Sequence, residues 1–168
     1  MRVLGIDTAI RCTGYGLVDC NNGRIDIVDC GIIQNKHNVP HSECLRRLGC
    51  GIRELIHKFN PDVAALESAF YSKNVKTAMI LSYARGAIMF VLAENKIPIY
   101  AYAPKKAKMA IGGSGSSSKL MIAQILSSML SIDINQINLD ATDALAIAIC
   151  HGQLASRPGS EFFIEKPL

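Results

Sequence analysis

Four familiar patterns are missing from this sequence, and each absence narrows the class of protein. No two cysteines are separated by two residues, and no G-x-x-x-x-G-K-[ST] phosphate loop occurs, which argues against a thiolate metal centre and a P-loop nucleotide site. No uninterrupted apolar run reaches the roughly 18 residues of a membrane span. No signal peptide is recognisable, so we expect a cytoplasmic protein with no membrane attachment.

The cysteines that are present form no recognisable ligand pattern. We interpret them as small, reduced core residues, with a structural disulfide or a thiolate site as the alternative. The six are Cys12, Cys20, Cys30, Cys44, Cys50 and Cys150.

Length and composition predict one globular domain. The chain has 168 residues, of which 49% are hydrophobic and 19% are charged, which is enough apolar material for a substantial core. We expect a single domain over residues 1–154 and a loosely ordered tail over residues 155–168.

The middle of the chain has almost no acidic residues. Residues 71–120 contain eight lysines and arginines and one acid, Glu94, whereas the rest of the chain has ten basic and thirteen acidic residues. A basic segment of this kind indicates a polyanionic partner. A solvated basic face is the alternative.

Hydrophobic periodicity predicts an α/β protein. Strands are predicted over residues 2–7, 13–20, 25–33, 62–67 and 97–102, and helices over 42–59, 74–95, 104–108, 118–130 and 139–154. Asn21-Asn22-Gly23 is typical of a hairpin turn, and Ser42 is the expected N-cap of the first helix. Three antiparallel strands followed by alternating helices and strands predict a sheet covered by helices.

The helix predicted over residues 74–95 is apolar almost all round. Such a helix needs cover on more than one face. The domain core covers one face, and either further core or a second copy of the chain covers the other.

Four acids adjoin apolar segments. Asp7 and Glu67 each end a predicted strand, and Asp140 and Asp143 share one face at the start of the last helix. If the first and fourth strands are parallel neighbours, all four meet at one sheet edge. Two carboxylates about 5 Å apart repel by roughly 3 kcal/mol at an effective dielectric near 20, so such a cluster needs a cation. Oxygen ligands favour Mg²⁺ or Mn²⁺, and two ions roughly 4 Å apart can catalyse phosphodiester hydrolysis.

Each acid also has an ordinary structural interpretation. Asp7 could cap a turn, Asp140 could stabilise the first turn of a helix, and Asp143 could be a structural hydrogen-bonding group. A site built from all four explains them together.

Five motifs of this chain resemble the RuvC family of bacterial Holliday junction resolvases. They are Gly5-Ile6-Asp7, Thr13-Gly14-Tyr15-Gly16, Glu67-x-x-Phe70-x-x-Lys73-Asn74, Ala84-Arg85-Gly86 and Asp140-Ala141-Thr142-Asp143-Ala144-Leu145-Ala146. The resemblance extends from residue 2 to about residue 152. It implies a ribonuclease-H-like mixed five-stranded sheet flanked by helices. One departure is Thr8-Ala9, where the family often has Pro-Gly.

The resemblance also implies the roles of individual residues. The four acids would be the catalytic metal ligands, with two Mg²⁺ ions in each site and Mn²⁺ as a substitute. Lys108 and Lys119 fall where the family has lysines near the scissile DNA. Phe70 falls on an aromatic that stacks on junction bases, with core packing as the alternative. The predicted DNA contacts are Phe70, Tyr71, Lys73, Lys76, Arg85, Lys105 and Lys106.

The implied function is a crossover junction endodeoxyribonuclease that cuts two opposing strands of a four-way DNA junction. Two equivalent cuts require two equivalent sites, hence a homodimer. The family further implies a branch-migration motor and a junction-binding protein as partners. The alternatives are a YqgF-like RNA-processing nuclease, a non-catalytic junction binder and an actin-like ATPase, for which 168 residues are too few.

Overall fold

The computed structural model describes residues 1–68, 74–112, 114–130, 138–159, 164 and 166–168. Within these ranges the elements are β1 Arg2–Asp7, β2 Cys12–Asn21, β3 Arg24–Gln34, α1 His41–Phe59, β4 Val63–Glu67, α2 Val75–Glu94, β5 Ile99–Tyr102, α3 Pro104–Gly112, α4 Lys119–Leu130 and α5 Leu139–Ala155. The type and order of every predicted element are confirmed. One local prediction is wrong, because α1 begins at His41 after Pro40 and Ser42 does not cap it.

The strands form one mixed sheet in the order β3-β2-β1-β4-β5. The hairpin strands β1, β2 and β3 are antiparallel, whereas β1, β4 and β5 are parallel. The hairpin turn uses Asn22 and Gly23 at φ values of 50° and 83°, which these two residues tolerate. Because parallel strands present their carboxyl ends at the same edge, Asp7 at the end of β1 and Glu67 at the end of β4 emerge side by side.

Helices cover both faces of the sheet. Helices α1 and α2 pack on one face, and α3, α4 and α5 pack on the other, so the core has two halves. Side chains alternate between these halves along each strand, as Val3 and Leu4 of β1 show by belonging to different ones. Because helices cover both faces, the side chains on both faces are apolar, and the strands are continuous apolar runs in the sequence.

Glycines on β1 and β2 let α5 lie unusually close to the sheet. A Cβ atom added at Gly5 would be 2.1 Å from the carbonyl oxygen of Ala144, and one added at Gly14 would be 2.0 Å from that of Asp140. Both distances are far inside van der Waals contact. The backbone of α5 therefore occupies the space that side chains would fill, and this sets the position of the helix start.

Helix α2 has one face in the core and one face outside it. Ala84, Ile88, Val91 and Leu92 are buried, while Val75, Met79, Tyr83 and Phe90 are between 48% and 71% exposed. By length and composition alone α2 is long and apolar enough to cross a membrane, a test that the core helices of other proteins also pass. The uncovered face is apolar and continuous along the helix.

The cysteines are all free thiols. Cys20, Cys44 and Cys150 are buried, and the other three are partly buried. This agrees with their interpretation as reduced core residues. At the far end of the chain, the Leu168 amide donates to the Ile99 carbonyl oxygen at 2.9 Å, on the edge strand β5.

Candidate active site

A pocket of about 150 Å³ at the carboxyl edge of the sheet brings acids from three elements together. Asp7 comes from β1, Glu67 from β4 and Asp143 from the second turn of α5. Lys108 of α3 lines the same pocket. One cation and three acids widely separated in sequence thus face one small volume.

Asp140 lies next to this pocket on the β2 side. Its backbone rests on Gly14, which pairs with Asp7 in the β1–β2 register. The side chain of Asn138 caps α5 by accepting from the Asp140 amide at 2.8 Å. Cys12 lies beside the Asp140 carboxylate, and the pKa of its thiol is raised to about 11 by burial and, secondarily, by Asp140.

Arg85, a predicted DNA contact, also makes a backbone contact that the sequence does not reveal. Its guanidinium is half-buried, and Nη1 donates to the backbone carbonyl oxygen of Glu67. Burial lowers the pKa of Arg85, and the charge of Glu67 acts in the opposite direction. Arg85 therefore holds the backbone at the end of β4 and places a positive charge near the Glu67 side chain.

A buried hydrogen bond ties β5 to α5. Tyr102 Oη and His151 Nδ1 are 2.7 Å apart, and burial lowers the pKa of His151 to about 4, so the ring is neutral. Since α3 begins two residues after Tyr102, this contact also anchors the helix that carries Lys108. The sequence shows both residues but gives no sign that they meet.

The other predicted site residues are either exposed or lie wholly or partly outside the described part of the chain. Lys105 and Lys106 are exposed on α3, and Lys76 is exposed in the first turn of α2. Lys119 is the first residue of α4, and its side chain lies outside the described part. Phe70, Tyr71 and Lys73 fall entirely outside the described residues.

The donor set fits a hard divalent cation. The four acids offer only carboxylate oxygens, the ligands that Mg²⁺ prefers. Thr8 Oγ1, beside Asp7, is buried without a hydrogen-bond partner among the described residues, so it can accept from or donate to a water molecule held there. As the carboxylates stand, the described residues contain no group of three or more ligands close enough to hold a metal. Mutual repulsion favours such separation, and a cation would draw the side chains together.

The sheet order, the helices on both faces and the acids at the ends of β1 and β4 define a ribonuclease-H-like nuclease. The family described as crossover junction endodeoxyribonuclease RuvC matches residues 3–151. The chain belongs to the RuvC family, whose members are metal-dependent nucleases.

Individual relatives agree with this assignment. The chain is 39% identical to a crossover junction endodeoxyribonuclease RuvC from Chloroflexus aurantiacus, over 92% of this chain and 94% of that protein. It is 33% identical to the protein of the same description from Natranaerobius thermophilus, over 91% and 95% of the two chains. The structure of T. thermophilus RuvC in complex with a Holliday junction substrate superimposes with a TM-score of 0.86 at 28% identity, over 100% of this chain and 99% of that one. A yeast mitochondrial Holliday junction resolvase shares the fold at a TM-score of 0.68 and 14% identity, over 95% and 82% of the chains.

Proposed function

We propose that this protein is a structure-selective endonuclease that resolves four-way DNA junctions by hydrolysing one phosphodiester on each of two opposing strands. The observation that carries the proposal is the pocket in which Asp7, Glu67 and Asp143 meet Lys108, in a chain of the RuvC family. Recombination and repair are the processes in which such junctions are resolved.

The four acids, Asp140 included, would hold the metal, which we propose to be two Mg²⁺ ions per site with Mn²⁺ as a substitute. When bound, the ions supply an activated water and stabilise the leaving 3′ oxygen. The chain itself contributes position and charge. Arg85 fixes the backbone of Glu67, and Lys108 would contact the phosphate that enters the pocket. Lys119 remains a predicted catalytic residue. The predicted DNA contacts remain Phe70, Tyr71, Lys73, Lys76, Arg85, Lys105 and Lys106.

Paired cuts require two sites related by a two-fold axis, and the exposed face of α2 is suited to form that dimer. Val75, Met79 and Tyr83 follow one another at intervals of four residues, and Phe90 continues the same side of the helix. Apolar side chains in such a continuous exposed stripe are typical of a protein interface. Ile88, by contrast, is fully buried and belongs to the core.

We expect Phe90→Glu to convert the dimer into a monomer at micromolar concentration, because it places a charge in the middle of an apolar contact. Sedimentation velocity measures the change, and the monomer should keep its fold, since Phe90 is 64% exposed in the single chain. Val28→Glu is the matched control, as Val28 is an exposed apolar residue on β3 and its replacement should leave the dimer intact. Unchanged sedimentation of the Phe90→Glu variant would place the interface elsewhere.

The proposed function is tested by incubating the protein with a synthetic four-way junction, with and without Mg²⁺. The expected products are symmetric nicks on two opposing strands, formed only with metal. A linear duplex of the same sequence and a structured RNA serve as comparison substrates. Preferential cleavage of the RNA would identify an RNA-processing nuclease, and binding without any cleavage would identify a junction binder.

Partner proteins and a cellular location also follow from the proposed function. A branch-migration motor and a junction-binding protein would cooperate with the dimer on the same junction. The cytoplasm, where the chromosome of a bacterial cell lies, would be its location.

A further inference from the structure

A second cavity borders the active site on the side of β2 and β3. It encloses about 580 Å³ and is lined by four basic residues, which we call the basic groove: Arg11, Lys36, His37 and Arg47. Cys12, Gln34 and Asn35 complete its wall. None of the four lies in the basic segment at 71–120, so the charge distribution along the sequence does not reveal this site.

The groove is held in shape by its own hydrogen bonds. Arg11 Nη1 donates to the carbonyl oxygens of Lys36 at 2.7 Å and Val39 at 2.8 Å. The buried side chain of Asn35 donates to the Ile10 carbonyl oxygen at 3.0 Å. The backbone N–H of Asn35 donates to the Arg11 carbonyl oxygen at 2.8 Å. These bonds fix the loop after β3 against the loop before β2. Nε and Nη2 of Arg11 make no hydrogen bond within the described part of the chain, so they can serve an incoming anion.

The charge in the groove is positive. Arg11, Lys36 and Arg47 each carry a full charge, Glu43 pairs with Arg47, and Asp140 lies beside Cys12 at the end nearest the active site. Glu43 is shared between Arg47 at 2.9 Å and Arg46 at 2.7 Å, and these hydrogen bonds hold its pKa at about 2. One carboxylate therefore faces two arginines, which leaves the groove with a net excess of positive charge.

The basic groove adjoins the acids of the active site at Cys12. Cys12 lines the groove and also lies beside the Asp140 carboxylate. In the strand order, the groove lies on the β3 side of β1, whereas α3 with Lys108 follows β5 on the other side. The acids are thus bracketed by positive charge in both directions across the sheet edge.

We propose that the basic groove binds backbone phosphates of the junction strand that passes through the active site, next to the phosphate that is cut. Phosphates follow one another at about 3.4 Å of helix axis along one strand, so a strand seated on the acids presents its neighbouring phosphates to adjoining surfaces. Guanidinium groups match phosphate oxygens geometrically, and contacts of this kind fix the register of the backbone. The inference rests on the proposed function, because it assumes that the acids receive DNA.

The test removes two charges from the groove in the double variant Lys36→Gln/Arg47→Gln. Asp143→Asn is present throughout so that the junction stays uncut. Junction affinity is measured over a series of salt concentrations. We expect the plot of log K against log salt to become shallower by about two, the number of phosphate contacts removed. Arg24→Gln/Lys58→Gln is the control that removes the same charge from exposed positions outside the groove, and its slope should equal that of the parent.

A second measurement identifies the phosphates themselves. A neutral methylphosphonate is placed in turn at each position flanking the cut. At one or two positions the methylphosphonate should weaken junction binding by the Asp143→Asn parent. It should not weaken binding by the groove variant, because the lysine or arginine that would contact that phosphate is already replaced. Equal slopes for groove variant and parent, or an equal loss in the control, would overturn the groove assignment. If the unmodified protein neither binds nor cuts the junction, it is the proposed function that fails.

Discussion

Asp143→Asn is expected to reduce junction cleavage by at least about a thousandfold, which corresponds to roughly 4 kcal/mol of transition-state stabilisation at 1.36 kcal/mol per tenfold. The amide keeps the shape of the side chain but removes a negative charge from the pocket that Asp7 and Glu67 also line. A neutral oxygen is a weaker ligand for a divalent cation than a carboxylate. Junction binding should change little, since it depends on basic residues elsewhere on the surface.

Single-turnover cleavage and a gel-shift assay on the same junction separate these two effects. Asp26→Asn is the matched control, because Asp26 is an exposed carboxylate that pairs with Arg24 at 2.8 Å and lies outside the pocket. Its cleavage rate should equal that of the parent. Cleavage by Asp143→Asn within tenfold of the parent would remove Asp143 from the catalytic group. In the absence of metal the variant should melt no lower than the parent, since one source of carboxylate repulsion is gone.

Gly14→Ala is expected to damage stability and activity together. The added methyl group would lie 2.0 Å from the carbonyl oxygen of Asp140, so the start of α5 must move away from β2. Overpacking of this kind typically costs about 1–3 kcal/mol, which for a chain of this size lowers the melting temperature by roughly 2–12 °C. A displacement of about 1 Å in a catalytic group can cost roughly a hundredfold in rate, and Asp140 and Asp143 both move with the helix.

Gly49→Ala provides the comparison for this substitution. A Cβ atom at Gly49 would meet Val91 at 3.6 Å, an ordinary contact, and alanine is the better helix former by about 1 kcal/mol. This variant should be as stable as the parent or more so, with unchanged cleavage. Calorimetry gives the stabilities, and rates are compared well below both melting temperatures. A fully active Gly14→Ala protein would mean that the positions of the acids do not depend on the close packing of α5 against Gly14.

The active site depends on the carboxylates themselves and on the packing that positions them. Asp143 tests what the carboxylate does, whereas Gly14 tests what puts it there. The sheet supplies Asp7 and Glu67 through the parallel pairing of β1 and β4, and the helix supplies the other two acids through its contact with glycine. A nuclease of this type can therefore be disabled at a position that touches no metal and no DNA.

The predictions that succeeded from sequence are those that depend on local patterns. Short apolar runs bounded by turn residues predicted all five strands, and the Asn-Gly pair predicted the hairpin. The acids stood out because carboxylates beside apolar segments are costly without compensation. The expected N-cap at Ser42 failed because α1 begins one residue earlier, at His41 after Pro40, and no side chain caps it.

By itself, the sequence determined the element order, the set of four acids and the family, since all three are properties of residues close together in the chain or of motifs in fixed order. Only the tertiary structure decided which distant groups meet. It placed Arg85 behind Glu67, Cys12 against Asp140, and Arg11 beside Lys36 in the basic groove. It also decided which face of α2 is exposed, because a helix that is apolar all round carries no periodicity that distinguishes its sides. Packing breaks that symmetry, and packing is set by contacts between residues far apart in the chain.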